Sequence, residues 1–329
     1  MKTAIITGIT GQDGAYLAKY LLNKKYKIIG ITRDTSELNI KNLRYLGIEG
    51  KLTLVKANLS DLSNIIRIIE KTSPQEIYNL AAQSSVGLSF DQPIGTMEFN
   101  IISTINQLEA IRIVNPKIKF YEASSSEMYG RVNNSELPII ENTVIHPVSP
   151  YAISKAAAHW ATINYREAYG IFAVCGILFN HESVLRGENF VTKKIVNSAI
   201  KISLGLKKKL ALGNLNISRD WGYAPEYVKM MWLMLQKDIP EDYIICSGEV
   251  FTLTDFVKGI FARLNLDYKK YVEIDETLFR PVELKMIYGD NTKAKKELGW
   301  KYSINFNKLL DLLIEEEKKY VNWELKNKN

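Results

Sequence analysis

The chain has 329 residues, 46% hydrophobic and 24% charged, which suits a soluble globule large enough for one two-lobed unit or two domains and excludes a disordered or low-complexity protein. Its formal charge of +7 comes from lysines that are scattered or in short runs such as Lys207-Lys208-Lys209, without interleaved aromatics, so a solvated basic surface is expected and nucleic-acid binding is not. The longest apolar run, 171–179, is far short of the ~20 residues that cross a bilayer, and Gly8 and Gly11 interrupt any signal-like start; a cytoplasmic protein without membrane contact is expected. Cys175 and Cys246 lie in apolar, strand-like stretches without metal spacing, so they read as buried free thiols, with no disulfide framework and no metal site.

In chain order, an apolar β-type run over 3–7 meets Gly8-Ile9-Thr10-Gly11-Gln12-Asp13-Gly14 and then a helical pattern through Leu17, Tyr20, Leu21 and Leu22. Strand, glycine turn and helix in that order let the backbone approach a pyrophosphate while the helix N-terminus aims free N–H groups at it. The G-x-x-G-x-x-G spacing is the variant carried by the short-chain dehydrogenase/reductase superfamily. Gly8, Thr10, Gly11, Gln12, Asp13 and Gly14 are therefore the expected cofactor loop.

A second strand over 27–32 ends in Arg33-Asp34, where a dinucleotide fold reads the adenosine ribose. Arg33 favours the 2′-phosphate of NADP, while Asp34 keeps NAD as the second choice. Further strands at 52–56, 76–80, 119–122 and 172–178 alternate with helical stretches such as 61–72 and 98–114. Alternation of that kind predicts an α/β fold, a doubly wound parallel (Rossmann) sheet. Asn58-Leu59 and Leu80-Ala81-Ala82-Gln83 follow strand C-termini, which face the cofactor in such a sheet.

Past residue 180 the pattern shortens and mixes. A dinucleotide-binding domain over 1–179 and a smaller mixed α/β substrate lobe over 180–329 are expected, with some segments of the second returning to the first.

The catalytic candidates lie in Ser124-Ser125-Ser126-Glu127-Met128-Tyr129-Gly130 and Ser149-Pro150-Tyr151-Ala152-Ile153-Ser154-Lys155. Tyr151 and Lys155 are four residues apart, so they are neighbours on one helix face, and an ammonium beside a phenol favours the phenolate. Tyr151 becomes a candidate general base toward a sugar hydroxyl that Ser125 can hold. One histidine beside a strand end, His181, reads as a structural hydrogen-bonded group and not as a base.

Taken together, Thr7 to Gly14, Tyr78-Asn79-Leu80-Ala81-Ala82-Gln83-Ser84, Gly176-Ile177-Leu178-Phe179-Asn180-His181-Glu182-Ser183, Arg219-Asp220-Trp221-Gly222 and Phe279-Arg280-Pro281 resemble the GDP-mannose 4,6-dehydratase family over nearly the whole chain. The resemblance implies an NADP-dependent hydro-lyase that converts a GDP-linked manno-sugar to its 4-keto-6-deoxy derivative: C4 is oxidised with Tyr151 and Lys155 assisting, Glu127 moves the C5 proton to the departing C6 hydroxyl, and the hydride returns to C6. It implies sugar-nucleotide contacts from Ser84, Ser85, Asn180, Arg186, Lys194, Arg219, Arg280 and Glu283, and a homodimer or homotetramer. Guanidinium groups suit pyrophosphate through their planar donor fork. The chain departs from the family's usual residues at Ser125 (threonine), Val148 (arginine), Val184 (proline) and Asp34 (a second arginine). A GDP-manno-heptose dehydratase, a sugar-nucleotide 4-epimerase or 4-reductase, and a non-catalytic nucleotide-binding regulator are the alternatives. Glu127 discriminates the dehydratases from the epimerases and reductases.

Overall fold

The computed structural model describes residues 1–36 and 39–326. Six of its strands lie before residue 179: β1 (Thr3–Thr7), β2 (Lys27–Thr32), β3 (Thr53–Lys56), β4 (Glu76–Asn79), β5 (Lys119–Ser125) and β6 (Ala173–Leu178). With the strand Tyr243–Ile245 they form a seven-stranded sheet, ordered Tyr243–Ile245, β6, β5, β4, β1, β2, β3, in which every pairing is parallel. The doubly wound α/β fold expected from the alternation is the fold observed.

Strands buried on both faces read as near-continuous apolar runs, which is why β1, β2 and β6 are visible in the sequence. Their alternate side chains feed two cores. Ile5, Ile29, Ile31, Ile77 and Phe120 pack on one face with Ile65, Ile69, Leu108 and Ile111 from the helices Leu62–Thr72 and Pro93–Val114. Ala4, Ile6, Ile28, Tyr78 and Tyr121 pack on the other with Leu17 and Leu21 from the helix Gln12–Asn23 and Val228 to Leu235 from the helix Ala224–Leu235. Asp61 caps Leu62–Thr72, accepting from the Ser63 amide at 2.9 Å, and Pro93 opens the longer helix at a position where its missing N–H costs nothing.

The chain leaves β1 toward β2 and β3, then returns to β4 on the opposite side of β1, so the sheet has its switch point between the C-termini of β1 and β4. A crevice opens there. After β6 comes the short strand β7 (Asn180–Glu182), parallel to Trp221–Tyr223, and a second apolar core of Ile195, Ile200, Leu253, Phe256, Phe261, Leu309 and Leu313. The segments 224–235 and 243–245 return to the first core and sheet. The last helix, Phe306–Lys326, gives Leu309, Leu310, Leu313 and Ile314 to the second core and Tyr320 to the first. Cys175 and Cys246 are buried free thiols. Among the described residues no helix is long and apolar enough to cross a membrane.

Candidate active site

The crevice is a cleft of about 800 Å³ that runs from the glycine turn to the second core. Gly8 ends β1 at φ +66°, and a Cβ there would lie 2.8 Å from the Leu80 carbonyl oxygen; one on Gly14 would lie 2.3 Å from the Gly8 carbonyl oxygen. Only hydrogen fits at either place, so the loop is a close-packed cradle. Gly11 caps the helix Gln12–Asn23 without a side-chain hydrogen bond, leaving that first turn to accept an anion. Gly8, Thr10, Gly11, Gln12, Asp13, Gly14, Leu59, Leu80, Ala81 and Ala82 all line the cleft, a donor set and shape that fit a dinucleotide.

At the far end of the turn, Arg33 lines the wall with its guanidinium 5.3 Å from the Phe99 ring centre. The Asp34 carboxylate turns back on its own chain and accepts from the Ser36 amide at 2.9 Å and the Ser36 hydroxyl at 2.6 Å; those bonds hold its pKa below the usual carboxylate value. Asn39 and Asn42 are among the lining residues that sequence reasoning missed. Asn39 donates to Thr32 Oγ1 at 2.9 Å and Asn42, in the short helix Lys41–Tyr45, donates to the Thr10 carbonyl at 2.9 Å, and no sequence pattern marks an asparagine for such a role.

The four chemical groups reach the cleft from three elements. β5 ends at Ser125, whose hydroxyl accepts from the Glu127 amide at 3.3 Å and so starts the tight turn Ser126–Tyr129. Gly130 closes it at φ +53°, where a Cβ would meet the His146 carbonyl oxygen at 1.8 Å. Ser149 caps the helix Pro150–Tyr169 by accepting from the Ala152 amide at 3.1 Å, and Pro150 occupies its first position, which sets Tyr151 and Lys155 one turn apart at the cleft end. Ser125, Glu127, Tyr151 and Lys155 share the cleft wall. Lys155 is buried and donates to Glu122 Oε1 at 3.0 Å.

The same cleft is lined by the cations Arg186, Lys194, Arg219 and Arg280 and by Asn180, Ser84 and Ser85. Arg186 lies over the Phe190 ring at 3.8 Å and 3.5 Å from Glu182. Arg219 is buried and donates to the Leu284 carbonyl at 2.8 Å; burial lowers its pKa, and the Glu127 and Glu283 carboxylates oppose that. His181 also reaches the cleft, yet both ring nitrogens are engaged, Nδ1 with the Phe179 carbonyl at 2.7 Å and Nε2 with Asp13 at 2.8 Å. Asp13 thus orients a histidine as well as flanking the glycine turn.

Three candidates lie outside the cleft lining. Asn58 is exposed and accepts from the Ser60 amide at 3.0 Å, capping its own turn. Gln83 turns inward, donating to the Ser85 carbonyl at 3.1 Å and Thr96 Oγ1 at 3.0 Å. Glu283 sits behind the arginines, 3.7 Å from Arg219 and 3.9 Å from Arg280, with burial raising its pKa against them. Proximity to a strand end fixes where a residue is, not which way its side chain faces. A polar side chain there satisfies itself locally whenever a backbone partner is within reach.

The family model described as GDP-mannose 4,6 dehydratase matches residues 5–313. The chain belongs to the GDP-mannose 4,6-dehydratase family. It is 47% identical to GDP-mannose 4,6 dehydratase 2 of Arabidopsis thaliana, over 96% of this chain and 87% of that one, and 43% identical to the GDP-mannose 4,6 dehydratase of Homo sapiens, over 94% and 90%. Among solved structures, the dTDP-glucose 4,6-dehydratase of Bacillus anthracis str. Ames, in complex with NAD, superposes with a TM-score of 0.86 at 23% identity, covering 98% of both chains. That last likeness is one of fold. In this chain a hydroxyl, a carboxyl, a phenol and an amine, those of Ser125, Glu127, Tyr151 and Lys155, line one cleft together with several cations.

Proposed function

We propose that the chain is a hydro-lyase that removes water from GDP-mannose, giving the 4-keto-6-deoxy sugar nucleotide, with a nicotinamide cofactor at the glycine turn. The observation that carries this reading is Glu127 in the same cleft as Ser125, Tyr151 and Lys155. The last three serve proton removal from a sugar hydroxyl. Only elimination needs the carboxyl as well.

When bound, the nicotinamide supplies the hydride acceptor for C4 and the hydride donor for C6. Ser125 holds the O4 hydroxyl and Tyr151 takes its proton, with Lys155 favouring the charged phenolate. The resulting ketone acidifies C5–H. Glu127 takes that proton and gives it to the C6 oxygen, so the C5–H and C6–O bonds break and water leaves; as C6 regains hydride, C5 takes up one proton, matching the one that Tyr151 received from O4 and releases. Arg186, Arg219, Arg280 and Lys194 answer the pyrophosphate with opposite charge and forked donors.

The preferred cofactor is NADP. Arg33 is the cation beside the adenosine end of the cleft, and the Asp34 carboxylate next to it is turned to the Ser36 amide and hydroxyl. A homo-oligomer is supported by the helices Pro93–Val114 and Pro150–Tyr169, which carry Ile94, Ile102, Ile113, Ile153, Trp160 and Tyr169 on their exposed surfaces. Apolar side chains gathered on packed neighbouring helices mark an interaction surface.

The test incubates the protein with GDP-mannose, a GDP-manno-heptose, dTDP-glucose and UDP-glucose and follows product masses. Loss of one water from GDP-mannose is expected. An isomer of unchanged mass would make the protein an epimerase, and binding without turnover would make it a nucleotide-binding regulator.

A further inference from the structure

Glu122 lies fully buried on β5, paired in register with Asn79 of β4 and three residues before Ser125. Its Oε1 accepts from Lys155 Nζ at 3.0 Å and its Oε2 from Asn79 Nδ2 at 2.6 Å. Asn79 Oδ1 in turn accepts from Thr7 Oγ1 and Gln107 Nε2, both at 2.8 Å, and Thr7 Oγ1 accepts from the Leu80 and Ala81 amides at 3.1 and 3.2 Å. One continuous set of bonds therefore runs from the cofactor wall at Leu80-Ala81 to the lysine. The carboxylate has no freedom to turn away.

A buried ion pair is a poor way to gain stability, because removing two charges from water costs about what their attraction returns. A buried amine left alone sheds its proton. Burial does pull Lys155 down, but the Glu122 carboxylate and then the Tyr151 phenol raise it by more, so it stays above the ordinary lysine value. The other titratable groups around the pair are neutral: burial pushes up the Cys175 thiol on β6 and the Tyr121 phenol on β5, and holds down His159 on the lysine's own helix. Asp242, the remaining acid in reach of Cys175 and His159, is paired with Arg166 at 2.8 Å.

We propose that Glu122 is a positioning residue of this active site, which keeps Lys155 charged and fixed one helical turn from Tyr151. The kinetic part rests on the role given to Lys155 above; the charge state of Lys155 does not. Without Glu122 the amine would lose its proton within the working pH range and the support for the phenolate would go with it. Activity would then fail from the alkaline side first.

The test compares wild type, Glu122→Gln and Glu122→Asp by ¹⁵N NMR of the lysine side chains, with Lys155 assigned from a Lys155→Met spectrum, and by the pH dependence of kcat and KM for GDP-mannose. In Glu122→Gln the Lys155 ammonium is expected to titrate at lower pH than in wild type, with kcat above neutrality reduced roughly 10²-fold and KM near its wild-type value. Glu122→Asp keeps the charge on a shorter arm and should fall between the two in both readouts. An unchanged Lys155 titration, or a loss of kcat equal at all pH values, overturns the proposal. If Glu122→Gln does not fold, Glu122→Asp decides it alone, because a titration and an alkaline limb identical to wild type would also overturn it. A Lys155→Met enzyme of full kcat would withdraw the catalytic role of the lysine and leave the titration result standing.

Discussion

His181 Nε2 lies 2.8 Å from Asp13 Oδ2, tying the first turn of the helix after the glycine loop to β7. The Phe179 carbonyl that holds Nδ1 can only accept, as can the carboxylate, so both ring nitrogens donate and the imidazole carries a charge. Burial lowers the His181 pKa, but Asp13 raises it by more; burial raises the Asp13 pKa, but His181 lowers it by more. The raised histidine contributes stability that is complete below its unfolded value of ~6.5 and is lost as pH rises through its folded value. The lowered aspartate contributes above ~3.9 and loses its share as pH falls through its own folded value. His181→Gln should therefore cost about 1–3 kcal/mol, most between roughly pH 4 and 6.5, with the gap to wild type closing on the alkaline side. Denaturant unfolding across that range is the check, and a gap independent of pH would contradict the charged pair.

Glu127→Gln should bind cofactor and GDP-mannose like wild type and lose about 10²–10⁴ in the rate of water loss, because an amide neither takes the C5 proton nor gives one to the C6 oxygen. Product mass against time measures it. Near-wild-type elimination would remove Glu127 from the chemistry.

Arg33 should decide the cofactor. A charge-assisted contact to the 2′-phosphate contributes roughly 1.5–3 kcal/mol, so NADP should bind about one to two orders of magnitude more tightly than NAD, and Arg33→Ala should narrow the difference mainly by weakening NADP. Calorimetric titration of cofactor-stripped protein measures both. An NADP preference that survives the substitution would shift the assignment to another lining residue such as Asn39 or Asn42.

Trp160 is 58% exposed on the helix that carries Tyr151. Light scattering is expected to return a dimer or tetramer for wild type, and Trp160→Asp should move the population toward the monomer, since a buried charge at an apolar contact is strongly disfavoured. A wild-type mass of one chain at every concentration would end the oligomer reading.

The sheet was legible where its strands are buried on both faces: 3–7 and 27–32 coincide with β1 and β2 to the residue. The stretch before Cys246 also read as strand-like, but its place beside β6 as Tyr243–Ile245 was not legible, because the two strands are distant in sequence. In the site, the glycines and the four chemical groups were readable because tight turns and helix starts leave side-chain signatures. The side chains of Asn58 and Gln83 lie outside the cleft lining because strand-end position says nothing of side-chain direction. Glu122 gave no signal, since an acid inside β5 looks in sequence like an acid at a sheet edge; only its closed contact with Lys155 marks it.

The helix Phe306–Lys326 has a bearing on how the molecule comes apart. It fills the second core with Leu309 and Leu313, reaches the first with Tyr320, sets Tyr320 and Trp323 edge-on to Tyr45, and anchors Lys193 through Glu317. A chain cut before it would leave a hole in each lobe at once. The two cores should accordingly melt in one transition, and a chain cut at residue 180 is not expected to leave a first part that stands alone.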